Sequence, residues 1–294
     1  MALPTPLELG QLVLNGLATG SIVALGSVGL TLTYGILRLP NFAHGDFLSL
    51  GAYLTLAANL AGIPLVPALL LGIVATVGAF LASEHVLWRP LRQRRATSTT
   101  LMIISIGLAL FLRNGLILIW GSQNQNYRLP VFPAIPIGGG LTLTQNRLIV
   151  MGLAVLAMVC LHALLNYTRI GKAMRAVADS VDLARVSGIN VDRVVLWTWG
   201  VAGGLTALGG GMYGLITAVR PNMGWFLILP MFATVILGGI GNPYGAVLGA
   251  LLITTAQEVS TIWLPTEYKL GVALVVMMVM LLVRPQGLFR STLS

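Results

Sequence analysis

Long apolar segments alternate with short polar connections along nearly the whole chain. A helix needs about 20 mostly apolar residues to cross the hydrocarbon core of a bilayer. Nine segments fit or approach this length: residues 9–37, 46–62, 65–87, 99–120, 147–165, 194–219, 226–240, 243–263 and 268–283. The pattern predicts an all-α polytopic integral membrane protein with about eight to ten transmembrane helices.

The boundary between the seventh and eighth segments is rich in glycine. Residues 238–245 read Gly-Gly-Ile-Gly-Asn-Pro-Tyr-Gly, and regular helix is not expected in such a run. The run is either a loop or an unwound stretch inside the membrane, where backbone groups need partners from the protein or from a cavity. It also contains Gly241 and Asn242, which are candidates for a gate.

Residues 166–193 break the apolar pattern and carry 8 of the 25 charged residues. Because this segment lies between two apolar spans, it must leave the bilayer. Met174, Val177, Val181 and Ala184 recur at helical spacing and predict one short amphipathic helix with an apolar stripe. A helix of this kind on a loop indicates a docking surface for a soluble partner.

The composition agrees with membrane residence and limits the number of domains. Hydrophobic residues make up 56% of the chain and charged residues 9%, against about 25% charged in soluble proteins. We therefore expect residues 1–294 to form a single transmembrane domain. The formal net charge of +9 does not indicate nucleic-acid binding, because the basic residues are spread over short loops.

The basic residues predict the orientation. Twelve of the 17 lie on one side, in regions that include residues 89–98, 166–193 and the C-terminus with Arg284 and Arg290. The positive-inside rule places this side in the cytoplasm. Residues 121–146 then form the long external loop, whose prolines and Gly138–Gly140 argue against helix. This loop is either a lip that receives a partner or substrate, or a surface connection.

A polar cluster lies at the start of the second span, in Pro40-Asn-Phe-Ala-His-Gly-Asp-Phe. One interpretation is a broken helix start that lines or gates a pathway, since polar groups in a span usually face a cavity or partner. The other is an ordinary helix N-terminus at the headgroups, with Asn41 as cap and Asp46 favoured by the helix dipole. A weak internal repeat relates residues 41–52 to residues 242–250. The candidate pathway residues are Asn41, His44, Gly45, Asp46, Gly241 and Asn242.

Arg113 lies within an apolar segment, where an unpaired guanidinium is costly. It should therefore face protein or water, or extend to the membrane surface. Glu84, Asp46 and Glu258 are the candidate partners for a structural ion pair, and the sequence does not choose among them. Glu258 lies late in its span and is expected to reach the outer surface instead.

Motifs for catalysis and metal binding are absent from the sequence. It contains no Gly-x-Ser-x-Gly, no His-Glu-x-x-His and no phosphate-binding Gly-x-x-x-x-Gly-Lys-Ser/Thr. Its 3 histidines are far apart and it has 1 cysteine, so we expect no metal site, no cofactor and no enzymatic activity. If transport is active, another polypeptide must hydrolyse ATP.

Several motifs in the sequence resemble the LivH-type permease family. The most specific is Gly29-Leu-Thr-Leu-Thr-Tyr-Gly-Ile-Leu-Arg-Leu-Pro-Asn-Phe-Ala-His-Gly-Asp-Phe, followed by Gly51-Ala-Tyr. Leu237-Gly-Gly-Ile-Gly-Asn-Pro-Tyr-Gly-Ala-Val-Leu-Gly-Ala and Arg284-Pro-Gln-Gly-Leu-Phe are similar to the family as well. Gly171-Lys-Ala-Met-Arg-Ala-Val-Ala-Asp through Leu183-Ala-Arg-Val-Ser-Gly-Ile-Asn resembles its cytoplasmic coupling segment. The resemblance covers nearly the whole chain.

The resemblance implies a type II-like permease subunit of an ABC importer in the inner membrane, for branched-chain or other neutral amino acids. It implies three kinds of protein partner: a second homologous permease, two ABC ATPase subunits and a periplasmic solute-binding protein. It also implies insertion in the lipid membrane. Urea permeases share much of the pattern, so a urea or amide permease stays an alternative. A self-contained channel for a small neutral solute, with Asn41, His44 and Asn242 in its pathway, is a second alternative.

For the importer, the resemblance and the amphipathic pattern together predict that residues 171–188 couple the permease to the ATPase. The apolar stripe supplies packing and the charged residues supply register. The residues concerned are Gly171, Lys172, Arg175, Ala176, Val177, Asp179, Asp182, Ala184 and Gly188. Replacing Ala176 and Val177 by aspartate is expected to uncouple ATP hydrolysis from transport without unfolding the protein.

Overall fold

The computed structural model describes residues 5–130, 133–284 and 287–289. Pro285, Gln286 and Arg290, which belong to the basic C-terminal region, lie outside the described residues. Each of the nine predicted apolar segments corresponds to a helix within the described ranges. The helices are α1 (Pro6–Leu37), α2 (His44–Leu60), α3 (Leu65–Ser83), α4 (Arg89–Gln93), α5 (Ser98–Trp120), α6 (Gln145–Tyr167), α7 (Arg169–Asp179), α8 (Val181–Val186), α9 (Val191–Ile216), α10 (Met223–Gly238), α11 (Pro243–Ser260) and α12 (Lys269–Val283).

Six helical stretches in the described ranges are long and apolar enough to cross a bilayer. They contain α1, α3 with its extension to Gln93, α5, α6, α9 and α12. The shorter helices α2, α10 and α11 pack among them. The protein is thus a multi-pass, all-α membrane protein, as the hydropathy pattern predicts.

Close contact between α1 and α11 forms one centre of the bundle. A Cβ atom added at Gly16 would lie 2.6 Å from the Cα of Thr255, so the two backbones are almost in contact. The Thr254 hydroxyl donates to the Gly16 carbonyl oxygen at 2.9 Å. Small residues let membrane helices approach in this way and gain packing and interhelical hydrogen bonds.

A second centre surrounds α2, which packs against α3, α5, α9 and α10. At Gly210 of α9, an added Cβ would lie 2.0 Å from the Leu48 carbonyl oxygen. Phe47 and Phe80 are fully enclosed, and their ring centroids lie 4.1 Å apart. The N-terminal half of α2 is therefore surrounded by protein.

The segment after α5 contains a hairpin that the hydropathy pattern did not predict. Strands β1 (Ala134–Gly138) and β2 (Leu141–Thr144) pair antiparallel. Before the hairpin, the Tyr127 hydroxyl donates to the Gly211 carbonyl oxygen at 3.1 Å, and burial raises the pKa of this phenol above its ordinary value. The Asn59 side chain accepts from the Arg128 backbone N–H at 2.7 Å. The expected absence of helix is confirmed for the described residues 121–130 and 133–144, and residues 125–128 are held against α2 and α9.

The predicted cytoplasmic segments 89–98 and 166–193 lie at one end of the bundle, which we call the basic end. Arg89 and Asp192 form an ion pair at 3.5 Å, which joins α4 to the start of α9. The buried Glu84 accepts hydrogen bonds from Arg92 and, at 2.7 Å, from the Trp199 indole. The ends of α1 and α6, the start of α11 and helix α7 meet at the same end.

Candidate translocation and coupling sites

Helix α2 starts deep inside the bundle. The His44 Nε2 atom lies 2.9 Å from the Gly26 carbonyl oxygen. Gly26 precedes Leu37, the last residue of α1, by eleven positions, which is a helical rise of about 17 Å. After α1 the chain turns at Arg38, which has a positive φ of 53°, and runs back along the helix. The start of α2 is therefore enclosed by protein, and its level relative to the headgroups stays a prediction.

The predicted cap also differs from the observed start. Ala43 occupies the N-cap position of α2, and no side chain caps the helix there. The Asn41 side-chain oxygen accepts from the Ala43 backbone N–H at 3.1 Å, so it stabilises the turn that precedes the helix. The Asn41 Nδ2 atom is buried without a hydrogen-bond partner among the described residues.

His44 is held in one tautomer by α1. A carbonyl oxygen can only accept a hydrogen bond, so the proton lies on Nε2, which faces Gly26. The Thr206 hydroxyl of α9 lies 2.9 Å from the same nitrogen. Nδ1 is then an acceptor, buried and without a partner among the described residues. Buried unpaired polar atoms are rare in native proteins.

Asp46 is the partner of Arg113. Arg113 donates from Nε and Nη2 to the two carboxylate oxygens at 3.0 and 3.1 Å. Its guanidinium also lies over the Trp225 ring, 4.6 Å from the centroid, in a cation–π contact. Of the other candidates, Glu84 pairs with Arg92, and Glu258 accepts from Lys269 at 2.7 Å. Glu258 is thus paired within the bundle instead of extending freely to the surface.

Gly45 has a packing role in this structure. A Cβ atom there would lie 2.2 Å from the Gly224 carbonyl oxygen on α10. The Ser49 hydroxyl oxygen accepts from the Gly224 backbone N–H at 2.9 Å, which ties the two helices at the same point. Glycine at both positions allows the start of α10 to reach the start of α2.

The other two residues of the predicted gate, Gly241 and Asn242, lie at a different level along α1 from the start of α2. Gly241 donates its backbone N–H to the Thr31 hydroxyl at 2.8 Å, and Thr31 follows Gly26 by five residues, about 7.5 Å along α1. The Asn242 side chain caps α11, accepting from the Tyr244 and Gly245 N–H groups at 3.0 and 3.1 Å. No hydrogen bond between described residues joins this turn to residues 41–46. Its part in a pathway stays a prediction.

The weak internal repeat has a structural counterpart. Asn41 and Asn242 each accept a hydrogen bond from the backbone N–H two residues later. Gly45 and Gly245 each bring a helix against the backbone of α10, the first near its start and the second near its end. The two motifs therefore hold opposite ends of one helix.

The segment from 166 to 193 forms two helices where the periodicity predicts one. Ser180 separates α7 from α8 and caps α8 by accepting from the Leu183 N–H at 3.3 Å. Of the predicted apolar stripe, Met174, Val177 and Ala184 are buried and Val181 is partly buried, so the stripe is a packing face divided between the two helices. α7 packs with this face on α1, α6 and α9.

This packing contradicts the expectation that aspartate can replace Ala176 and Val177 without unfolding the protein. Val177 is 1% exposed, so an aspartate there would be buried without a partner and would destabilise the fold. Gly171 lies against the backbone of Leu164, and Gly188 ends the segment with a φ of +81°. These residues shape the segment. The charged side chains, by contrast, are exposed: Lys172, Arg175, Asp179 and Asp182.

Two exposed apolar side chains on α8 were missed by the sequence reasoning. Leu183 is 67% exposed and Val186 is 83% exposed. Their spacing of three residues places them on one face of a helix, which is the sequence signal that was available. They lie beside the buried stripe and next to Asp182, and they are the apolar part of the surface that this segment presents.

A chain of hydrogen bonds connects α7 to α11. Arg175 donates to the Asn166 side-chain oxygen at 3.0 Å, and Asn166 donates to the Tyr244 hydroxyl at 2.9 Å. The Tyr244 hydroxyl lies 2.7 Å from His162 Nδ1 and completes the chain. A cavity of about 220 Å³, whose lining includes Thr31, lies beside these residues. The partners are far apart in sequence, so spacing carried no signal for them.

Comparisons with known proteins agree with this architecture. A solved structure titled "PsaBC from Streptococcus pneumoniae in complex with Fab" is similar in fold, with a TM-score of 0.52 at 12% identity over 94% of this chain and 92% of that one. The high-affinity branched-chain amino acid transport system permease protein LivH of Salmonella typhimurium is 33% identical, covering 95% of this chain and 94% of its own length. The probable LivH of Methanocaldococcus jannaschii is 28% identical, covering 96% and 93%.

A family model described as "Branched-chain amino acid transport system / permease component" matches residues 12–281. The match includes the start of α2, the turn at Gly241 and the whole of α7 and α8, which are the regions described above. The resemblance to LivH-type permeases is confirmed. The chain belongs to the family of permease components of branched-chain amino acid transport systems.

Proposed function

We propose that this chain is the membrane subunit of an ATP-driven importer that carries branched-chain or other neutral amino acids across the inner membrane. A second homologous permease, two ABC ATPase subunits and a periplasmic solute-binding protein complete the complex. Family membership supports the solute class. The single observation that carries the ATP-driven part is the exposed apolar pair Leu183 and Val186, which lies on a charged helical segment at the basic end.

The asymmetry of basic residues places the basic end in the cytoplasm. There α7 and α8 offer an ATPase both apolar and charged contacts, and movement of this segment reaches α11 through Arg175, Asn166 and Tyr244. α11 and the turn before it are bonded to α1 at two levels, by Thr254–Gly16 and Gly241–Thr31. α1 in turn holds His44, so motion at the basic end is transmitted to the deep start of α2. Alternating access requires two such discrete arrangements.

Co-purification and reconstitution test the proposal. The tagged chain, extracted in mild detergent, is expected to recover ATPase subunits and a second permease. In proteoliposomes with the binding protein, this complex should take up leucine only when ATP is supplied. Leucine flux through the chain alone without ATP would instead establish a self-contained channel. ATP-driven uptake of urea with no uptake of leucine would establish the urea or amide permease.

Replacing Tyr244 by phenylalanine is expected to weaken coupling. The ring is kept, but the hydroxyl that joins α11 to Asn166 and His162 of α6 is lost. Two neutral hydrogen bonds contribute about 1 kcal/mol each, so we expect up to roughly a thirtyfold lower uptake of leucine per ATP hydrolysed. Tyr167→Phe is the matched control, because Tyr167 lies at the same end and its hydroxyl bonds to no described residue. Equal ratios in both variants would contradict a role for the hydrogen-bond chain.

A further inference from the structure

Arg113 has hydrogen-bonding capacity that the ion pair does not use. Nε and Nη2 serve Asp46, and no described residue accepts a hydrogen bond from Nη1. The Arg113 side chain is 15% exposed, whereas the Asp46 side chain is enclosed. Arg113 is the sixteenth residue of α5, about 22 Å from the start of the helix. A charged N–H donor is thus presented well within a membrane span.

The surface around this donor is otherwise suited to lipid. Of the residues of α5, only Leu101, Ser105, Ala109 and Leu116 are buried, and α5 packs mainly on α2. The neighbouring Phe111 is 74% exposed. Lipid chains offer no hydrogen-bond acceptor, so a guanidinium N–H facing them is strongly unfavourable. The surface next to Arg113 therefore faces an aqueous path or another protein.

Trp225 of α10 adds an apolar surface beside this donor. It covers the guanidinium and is itself 39% exposed. A guanidinium edge and an indole ring together match a carboxylate that is attached to an apolar group. Amino acids of the proposed solute class have this chemistry, and urea does not.

We infer that Arg113 and Trp225 form a contact site for the solute in the translocation path. Arg113 Nη1 binds the solute carboxylate, and Trp225 contacts its apolar side chain. Asp46 is a positioning residue that fixes the guanidinium from behind and neutralises its charge. Because the ion pair has no net charge, the solute is bound by hydrogen bonds and is released without the separation of a new ion pair. The inference rests on the proposed function, since it assigns residues to the path of that importer.

The test uses the complete importer in proteoliposomes with its binding protein and radiolabelled leucine. The quantity measured is the number of ATP molecules hydrolysed per leucine transported. Arg113→Gln is expected to raise this ratio at least tenfold, because the path no longer holds the carboxylate. Lys269→Gln is the matched control, since it breaks a comparable ion pair, with Glu258, away from the proposed path and should leave the ratio unchanged.

A second variant separates binding from folding. Trp225→Leu leaves the Asp46 ion pair intact and should raise the ratio at least threefold, even if Arg113→Gln does not assemble. Wild-type ratios in Trp225→Leu, or in well-assembled Arg113→Gln, would overturn the inference. Absence of ATP-driven leucine uptake in the wild type would instead contradict the proposed function.

Discussion

Gly224→Ala is expected to remove most of the folded protein. The added Cβ would lie 1.8 Å from the Gly45 carbonyl oxygen, a distance that requires α10 to move away from α2. That movement also breaks the hydrogen bond from the Gly224 N–H to Ser49. Overpacking of a well-packed core typically costs 1–3 kcal/mol, and we expect more than about 3 kcal/mol here because the collision is between backbones.

The measurement is the thermal unfolding of the detergent-purified protein, together with the yield of monodisperse material. Gly78→Ala and Gly200→Ala are the matched controls, because both glycines lie within helices and an added Cβ meets nothing within 4 Å. Each control should be neutral or slightly stabilising, since alanine favours helix over glycine by about 1 kcal/mol. A Gly224→Ala protein that unfolds like the wild type would show that α2 and α10 do not touch at this point.

The double variant Leu183→Asp/Val186→Asp is expected to abolish ATP-driven uptake while the chain remains folded. Both side chains are exposed on α8, so aspartate meets water in the isolated subunit. In the proposed complex, the same positions are buried against the ATPase, where an unpaired carboxylate is strongly unfavourable. We expect at least a hundredfold lower uptake, and loss of the ATPase subunits from the purified complex.

Two comparisons separate docking from folding in this experiment. Val177→Asp lies in the same segment but is buried, so it should lower the unfolding temperature of the isolated chain. Ile137→Asp replaces an exposed apolar residue in β1, far from α8 in sequence and in a predicted external loop, and should retain uptake. If the α8 double variant kept its ATPase partners and full uptake, the docking surface would have to lie elsewhere.

Several features of the bundle follow from local pattern alone. The nine apolar segments became helices because an apolar run of this length must satisfy its own backbone hydrogen bonds in lipid. The burial of Met174 and Val177 on α7 followed from helical periodicity, since residues three positions apart share a face. These are properties of short windows, and the sequence contains them directly.

How deeply a helix begins within the bundle cannot be read from a short window of sequence. Hydropathy predicts that residues 46–62 are apolar, but the contact between His44 and Gly26 depends on how α1, α9 and α10 pack. The choice of Asp46 over Glu84 as the partner of Arg113 depends on the same packing, because each acid is chemically suitable. The break at Ser180 was also missed, since periodicity does not register a single residue that caps a new helix.

The sequence by itself determined the class of the protein, its helical segments, its family and the location of a charged amphipathic segment, because each depends on composition, spacing or motif. Only the tertiary structure decided which face of that segment is available, that α2 begins inside the bundle, and that Arg113 keeps a free donor beside Trp225. These features join residues that are distant along the chain, such as Asp46 with Arg113 and Asn166 with Tyr244. Their energies arise from contacts that exist only once the helices have packed.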